Sequence, residues 1–212
     1  MKRIVIIDYG VGNLFGLRRA FLAAGSEVDI TEDAAVIESA DGIVLPGVGA
    51  FEAGMRGLDT RGLLPTVQTI IASGKPMLGI CLGAQILMSK GFEFGEHAGL
   101  GAIPGTVVAL QNLPEHEKIP HVGWNGVQSP ASTLWEKTIF DGLQNDFAVY
   151  FTHSYIFEPA RKEHVLGTTT YGGKEFVSAV RRGNIYGVQF HPERSGEVGL
   201  HIVRNFISIV GL

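Results

Sequence analysis

The stretch Gly79-Ile80-Cys81-Leu82-Gly83 decides the reading of this chain. It closes an apolar segment, Met77–Ile80, that reads as a strand. It opens a segment through Ala84-Gln85-Ile86-Leu87-Met88 that reads as a helix stopping near Gly91. A nucleophile flanked at two residues' distance by glycines is the pattern of a strand-to-helix elbow. The backbone doubles back there, so its flanks must do without a Cβ while the central side chain projects from the sheet. The helix start beyond it favours the thiolate. The N–H of Leu82 is then expected to face an oxyanion forming on the attacked carbon.

Outward from the elbow, the first ninety residues alternate strand and helix. Arg3–Asp8 is a continuous apolar run of the kind buried on both faces of a parallel sheet. Asn13 caps a helix with Leu14, Leu17 and Phe21 on one face, and Gly25 ends it. Glu27–Ile30 and Gly42–Leu45 read as strands, and Ala53–Ser73 as helix with a break suggested by Gly62 and Pro65. After Gly91 the texture changes. Ile103–Leu110, Phe147–Thr152, Val165–Thr170, Glu175–Arg181 and Asn184–Phe190 are short β-like segments between Gly, Asn and Pro. Gly172-Gly173 and Gly183-Asn184 supply hairpin turns. A last helix carries Val198, Ile202, Phe206 and Ile209 on one face. The fold class is α/β: a doubly wound, mostly parallel sheet flanked by helices, with antiparallel hairpins in the second half. No linker or repeat interrupts it, so residues 1–212 read as one domain.

Composition narrows the function. The 212 residues include 29 glycines, about twice average usage. Cys81 is the only cysteine, so an intrachain disulfide and a cysteine-rich zinc site are excluded. The net charge is −4 with no basic run beyond Arg18-Arg19 or Arg181-Arg182, which argues against nucleic acid. No apolar run approaches the ~18 residues of a membrane span, and Met1–Asp8 reads as a first strand rather than a signal peptide. The expected location is the cytoplasm. His97, His116, His121, His164 and His201 show no ligand-like clustering and read as surface or structural, so neither metal nor cofactor is expected. Gly10-Val11-Gly12 begins a dinucleotide fingerprint, but Phe15 stands where its third glycine would be.

A lone cysteine is as often a small buried apolar residue as a nucleophile, so the elbow needs a base. Val188-Gln189-Phe190-His191-Pro192-Glu193 offers one. His191 and Glu193 are two apart and, in an extended segment, project to the same side; Pro192 biases His191 to extended geometry. A carboxylate beside an imidazole fixes its tautomer and stabilises the imidazolium.

Gly79–Gln85 with His191-Pro192-Glu193 resembles the class I (triad) glutamine amidotransferases. Within them the likeness is nearest to the glutaminase subunits of imidazole glycerol phosphate synthase. The stretches that carry it are Asp8-Tyr9-Gly10-Val11-Gly12-Asn13, Leu45-Pro46-Gly47-Val48-Gly49-Ala50-Phe51, Pro120-His121-Val122-Gly123-Trp124-Asn125 and Phe151-Thr152-His153-Ser154-Tyr155. The resemblance implies that Cys81 attacks the amide carbon of L-glutamine, His191 shuttles the proton and Glu193 orients His191. It implies a substrate pocket at Gly49, Gln85, His153, Ser154 and Tyr155, and a second oxyanion donor within Gly47-Val48-Gly49, beside that of Leu82. It also implies that Asn13, Arg18 and Trp124 face a partner, a (β/α)-barrel cyclase in a heterodimer. Three other readings stay open: a dead-site binding module, a small peptidase on a similar elbow, and a sister glutaminase for tryptophan, purine or vitamin B6 synthesis. The intact Cys, His and Glu weigh against the first. The Asp8–Asn13 and Pro120–Asn125 stretches weigh against the others.

Overall fold

Ile4, Val5, Ile6 and Ile7 form β1, and all four are fully buried. Ile4 and Ile6 point into one core, Val5 and Ile7 into another on the opposite face of the sheet. An unbroken apolar strand is thus what a sheet covered on both sides requires. The computed structural model describes residues 2–130 and 133–212, so Met1 lies outside the described residues.

Along the chain β1 (Ile4–Ile7) is followed by α1 (Leu14–Ala23), β2 (Val28–Thr31), α2 (Ala34–Ser39), β3 (Gly42–Leu45), α3 (Phe51–Thr60), α4 (Leu64–Ser73) and β4 (Met77–Ile80). The short helix α5 (Leu82–Ile86) leads to β5 (Met88–Gly91), β6 (His97–Ala98), β7 (Ile103–Ala109), β8 (His121–Val127), β9 (Phe147–His153) and β10 (Tyr155–Pro159). The strands β11 (Val165–Tyr171), β12 (Lys174–Arg182) and β13 (Ile185–Val188) then precede the last helix, α6 (Gly196–Val210). The main sheet runs β2-β1-β3-β4-β13-β12-β10-β7-β5-β6, with β11 paired to β12, and β8 and β9 form a separate ribbon. The pairs from β2 to β13 are parallel and those from β13 to β7 antiparallel.

Several sequence expectations change. The segment after the elbow is helical only through Ile86, and Met88–Gly91 is a strand. Met88 pairs with Ile103 in β7, and the sheet's need for an edge partner overrides the helical pattern of that short apolar run. The strand β13 forms the expected hairpin with β12, yet it also returns to the parallel half, where Val188 lies opposite Ile80. In α6 the buried stripe centres on Ile202, Val203, Phe206 and Val210, with Val198 and Ile209 at its margins. The break near Gly62 and Pro65 is real: α3 and α4 are separate helices. Asn13 does cap α1, its side-chain oxygen accepting the Gly16 N–H at 3.2 Å. Among the described residues, no helix is long and apolar enough to cross a membrane.

Candidate active site

The pairing of β4 with β13 places two chain ends side by side. Ile80 lies opposite Val188, and the Cys81 N–H donates to the Val188 carbonyl at 2.8 Å. Cys81 itself has φ 52°, ψ −111°, a conformation rare for a residue with a side chain. A Cβ on Gly83 would collide with the Leu45 carbonyl, and one on Gly79 would come within 2.8 Å of the Ala84 Cα. Both glycines are therefore required by close packing, as the elbow pattern anticipates.

Beyond Val188 the chain carries His191 to the same end of the sheet, its N–H donating to the Tyr150 carbonyl at 2.9 Å. His191 Nδ1 and Glu193 Oε1 are 2.9 Å apart, with both side chains nearly buried. The two do not lie on an extended segment: His191 is extended, but Pro192–Arg194 is a turn of 3₁₀ helix. That turn, rather than period-two alternation, swings Glu193 back under the ring. Burial alone would depress the His191 pKa. Hydrogen bonds to Cys81 and Glu193, and the negative charge of each, outweigh it and raise the pKa to about 10.

The sulfur has two further polar neighbours. Its contact with the Thr152 carbonyl is 3.8 Å and that with Gln189 Nε2 is 3.6 Å. It opens on a cleft of about 250 Å³, the size of a single amino acid, lined by Asn13, Val48, Gly49, Gln85, Ser154, Tyr155, His191 and Glu193, among others. Gly49 holds φ +110°, a backbone conformation that residues with a side chain rarely adopt, which is what requires glycine there, since a Cβ would meet nothing within 4 Å.

Not every expected residue takes its expected place. The Leu82 N–H does not face open space; it donates to the Gly47 carbonyl at 3.3 Å. His153 turns away from the cleft into the interior, where His121 Nδ1 lies 2.9 Å from its Nε2 and the Tyr155 carbonyl 2.9 Å from its Nδ1. A carbonyl only accepts, so Nδ1 of His153 carries the proton, and His121 donates to Nε2. Burial lowers the pKa of His153 to about 3 and that of His121 to about 4, so both are neutral near pH 7. Arg18 and Trp124 are exposed and lie outside the cleft.

Three contributors escaped the sequence reading. Glu93, from the loop between β5 and β6, caps α3 by accepting the Phe51 N–H at 2.7 Å and brings its carboxylate to the cleft. Arg194 also lines the cleft, its guanidinium 4.1 Å from the centre of the Tyr150 ring. Gln189 touches the sulfur from inside the sheet. Only Gln189 carried a signal, as a polar residue in an apolar run between Val188 and Phe190.

The family described as glutamine amidotransferase class-I matches residues 5–210. The chain belongs to the class I glutamine amidotransferases. Relatives within that family include the imidazole glycerol phosphate synthase subunit HisH 1 of Legionella pneumophila (strain Lens), 44% identical over 99% of this chain and 100% of that one. The HisH subunit of Moorella thermoacetica is 43% identical over 99% of this chain and 96% of its own length. Among solved structures, a glutamine amidotransferase superposes with a TM-score of 0.74 at 20% identity, covering 98% and 99% of the two chains. The structure of PurLQS from Thermotoga maritima gives a TM-score of 0.73 at 18% identity, covering 98% of both chains. These likenesses show the amidotransferase fold. Among the described residues, no cluster of three or more His, Cys, Asp or Glu side chains is arranged to hold a metal.

Proposed function

We propose that Cys81, His191 and Glu193 form the triad with which this chain hydrolyses the side-chain amide of L-glutamine. The chain is a glutamine amidotransferase of the HisH branch, the glutaminase subunit of imidazole glycerol phosphate synthase in histidine biosynthesis. The observation that carries the triad is the convergence of Cys81 and the His191–Glu193 pair on one amino-acid-sized cleft.

The steps follow from the groups present. The Cys81 thiolate attacks the amide carbon, and the imidazolium of His191 gives its proton to the departing nitrogen, which leaves as ammonia. A glutamyl thioester remains. His191 then takes a proton from water, whose oxygen bonds to the acyl carbon and displaces the sulfur. Glu193 holds the ring by accepting the Nδ1–H and stabilises its charge. At the amino-acid end of the substrate, Glu93 supplies a negative charge for the α-ammonium group, with Gln85, Gly49, Ser154 and Tyr155 as further contacts. His153 acts from behind, bracing the Tyr155 carbonyl.

The oxyanion donors are the Leu82 N–H and an N–H of the Val48–Gly49 stretch. In the geometry observed, the Gly47 carbonyl occupies the Leu82 N–H. In a trans peptide the C=O and the following N–H point to opposite sides, so rotating the Gly47–Val48 peptide removes the carbonyl and presents the Val48 N–H in one move. Such a rotation makes hydrolysis conditional.

The ammonia goes to a partner subunit, and its identity is part of this proposal: a (β/α)-barrel cyclase that makes imidazole glycerol phosphate and an aminoimidazole carboxamide ribotide. Exposed apolar side chains near the cleft support a docking face there: Phe15 is 76% exposed, Val48 46% and Trp124 58%. Asn13 lines the cleft, and Trp124 packs edge-on against Tyr150 with ring centres 6.2 Å apart. Asn13, Arg18 and Trp124 are the residues assigned to that face. The test is Cys81→Ala: glutaminase activity should vanish while the cyclase subunit still binds. Retained turnover would remove Cys81 as nucleophile, and lost binding of the cyclase would remove the partner assignment.

A further inference from the structure

Gln189 is fully buried, and a buried amide must find partners for both ends. Its backbone N–H donates to the Ser178 carbonyl at 2.9 Å, which fixes the residue just past the β4–β13 pairing. Its side chain bridges two residues of the site. Oε1 accepts from Gln85 Nε2 at 3.0 Å, and Nε2 donates to Cys81 Sγ at 3.6 Å, a length suited to the large sulfur atom. The other polar neighbour of the sulfur, the Thr152 carbonyl, can only accept and so favours the protonated thiol. Gln189, like the protonated His191, favours negative charge on the sulfur, and it does so without carrying a charge of its own.

We propose that Gln189 is a catalytic residue, its side-chain N–H stabilising the Cys81 sulfur whenever that sulfur is anionic, with Gln85 fixing the orientation of the amide. This inference rests on the reading of Cys81 as the nucleophile. A thiolate only accepts, so the amide edge it meets must be N–H. That orientation leaves Oε1 to Gln85, which is the arrangement observed. The sulfur is anionic before attack and again as the thioester is hydrolysed. In that second step the water oxygen bonds to the acyl carbon, a water proton passes to His191, and the C–S electron pair returns to Sγ. In the thioester itself the sulfur is neutral and the same N–H does less, so the hydrogen bond strengthens as the thiolate leaves. Gln85 lines the cleft and also holds this amide, so one residue links the glutamine site to the sulfur.

The deciding variant is Gln189→Met, similar in length and volume but without a donor. Because Cys81 is the only cysteine, alkylation by iodoacetamide reports on that sulfur alone and needs no glutamine. At pH 7 the alkylation rate of Q189M should fall about tenfold, the scale of a lost hydrogen bond to a charged group. In the complex with the partner subunit, kcat should fall by a similar factor while the KM for glutamine stays within about twofold. An alkylation rate equal to that of the unaltered chain overturns the proposal. So does a loss confined to KM, which would make Gln189 a packing residue. Should Q189M fail to fold, Gln189→Glu keeps the volume and an acceptor for Gln85. At pH 9, where its carboxylate has no proton to give, alkylation should be slowed at least as far, and an unaltered rate overturns the proposal. Failure of the nucleophile reading appears elsewhere, as turnover that survives complete alkylation of Cys81.

Discussion

The Leu82 N–H donates to the Gly47 carbonyl at 3.3 Å, so the backbone donor beside Cys81 is already engaged. An oxyanion would have to displace that carbonyl, and one lost oxyanion donor typically costs 10²–10³ in kcat. The isolated chain is therefore expected to hydrolyse glutamine some 10²–10³-fold more slowly than the complex with its partner subunit and that subunit's ligand. Glutamate release measured with and without the partner checks this. Equal rates would remove the gate.

His191 and Glu193 predict a graded loss. His191→Ala should lower the rate by at least ~10⁴-fold, and Glu193→Gln by roughly 10²–10⁴-fold, because the ring loses its charged partner but keeps an acceptor. The pH dependence has a definite sign. The pKa of His191 is raised to about 10 in the folded chain. Its contribution to stability is complete below the unfolded value near 6.5 and is lost as pH rises through 10. The alkaline limb of the rate profile should lie there too, since the active form is the imidazolium. In Glu193→Gln that limb should move to lower pH, and an unmoved limb would show that Glu193 does not hold the proton.

Glu93→Gln separates charge from capping. The amide oxygen can still accept the Phe51 N–H, so α3 keeps its cap and the melting temperature should change little. The counter-charge for the α-ammonium is gone, and KM should rise about tenfold or more with kcat nearly kept. Steady-state kinetics of the complex decide it. An unchanged KM would place the ammonium elsewhere.

His121 and His153 predict acid lability. Burial depresses both, His121 to about 4 and His153 to about 3, while an unfolded histidine titrates near 6.5. The unfolded chain therefore binds protons first, and stability should fall as pH drops from 6.5 toward 3. His121→Phe keeps the stack between Phe151 and Tyr171 but leaves His153 Nε2 without its donor. It should cost about 1–3 kcal/mol at pH 7 and flatten the acid slope. Melting temperatures across that range test both statements, and an unchanged slope would show that His121 is protonated in the folded state.

Much of this was legible in the chain. The elbow at Cys81 is readable because Gly79 and Gly83 are demanded by local collisions, and local sterics leave a local signature. The parallel half is readable because β1 buries all four residues, which fixes an unbroken apolar run. The His191–Glu193 pair is readable from proximity in sequence, although the 3₁₀ turn that joins them is not.

What the sequence could not specify is whatever depends on segments remote along the chain meeting in space. The end of α5 at Ile86 is set by the pairing of Met88 with Ile103. Glu93 reaches the cleft by capping a helix 42 residues before it, and Gln189 meets Gln85 across 104 residues. His153 carries a motif that points toward the substrate, but a second histidine from β8 draws it inward. The sequence by itself determined the class of fold and singled out Cys81 and the His191–Glu193 pair as the proposed nucleophile and base, because each is written in neighbouring residues. Only the tertiary structure decided which donors are occupied and which amide meets the sulfur, because a hydrogen bond depends on distance and direction between groups that the chain order leaves far apart.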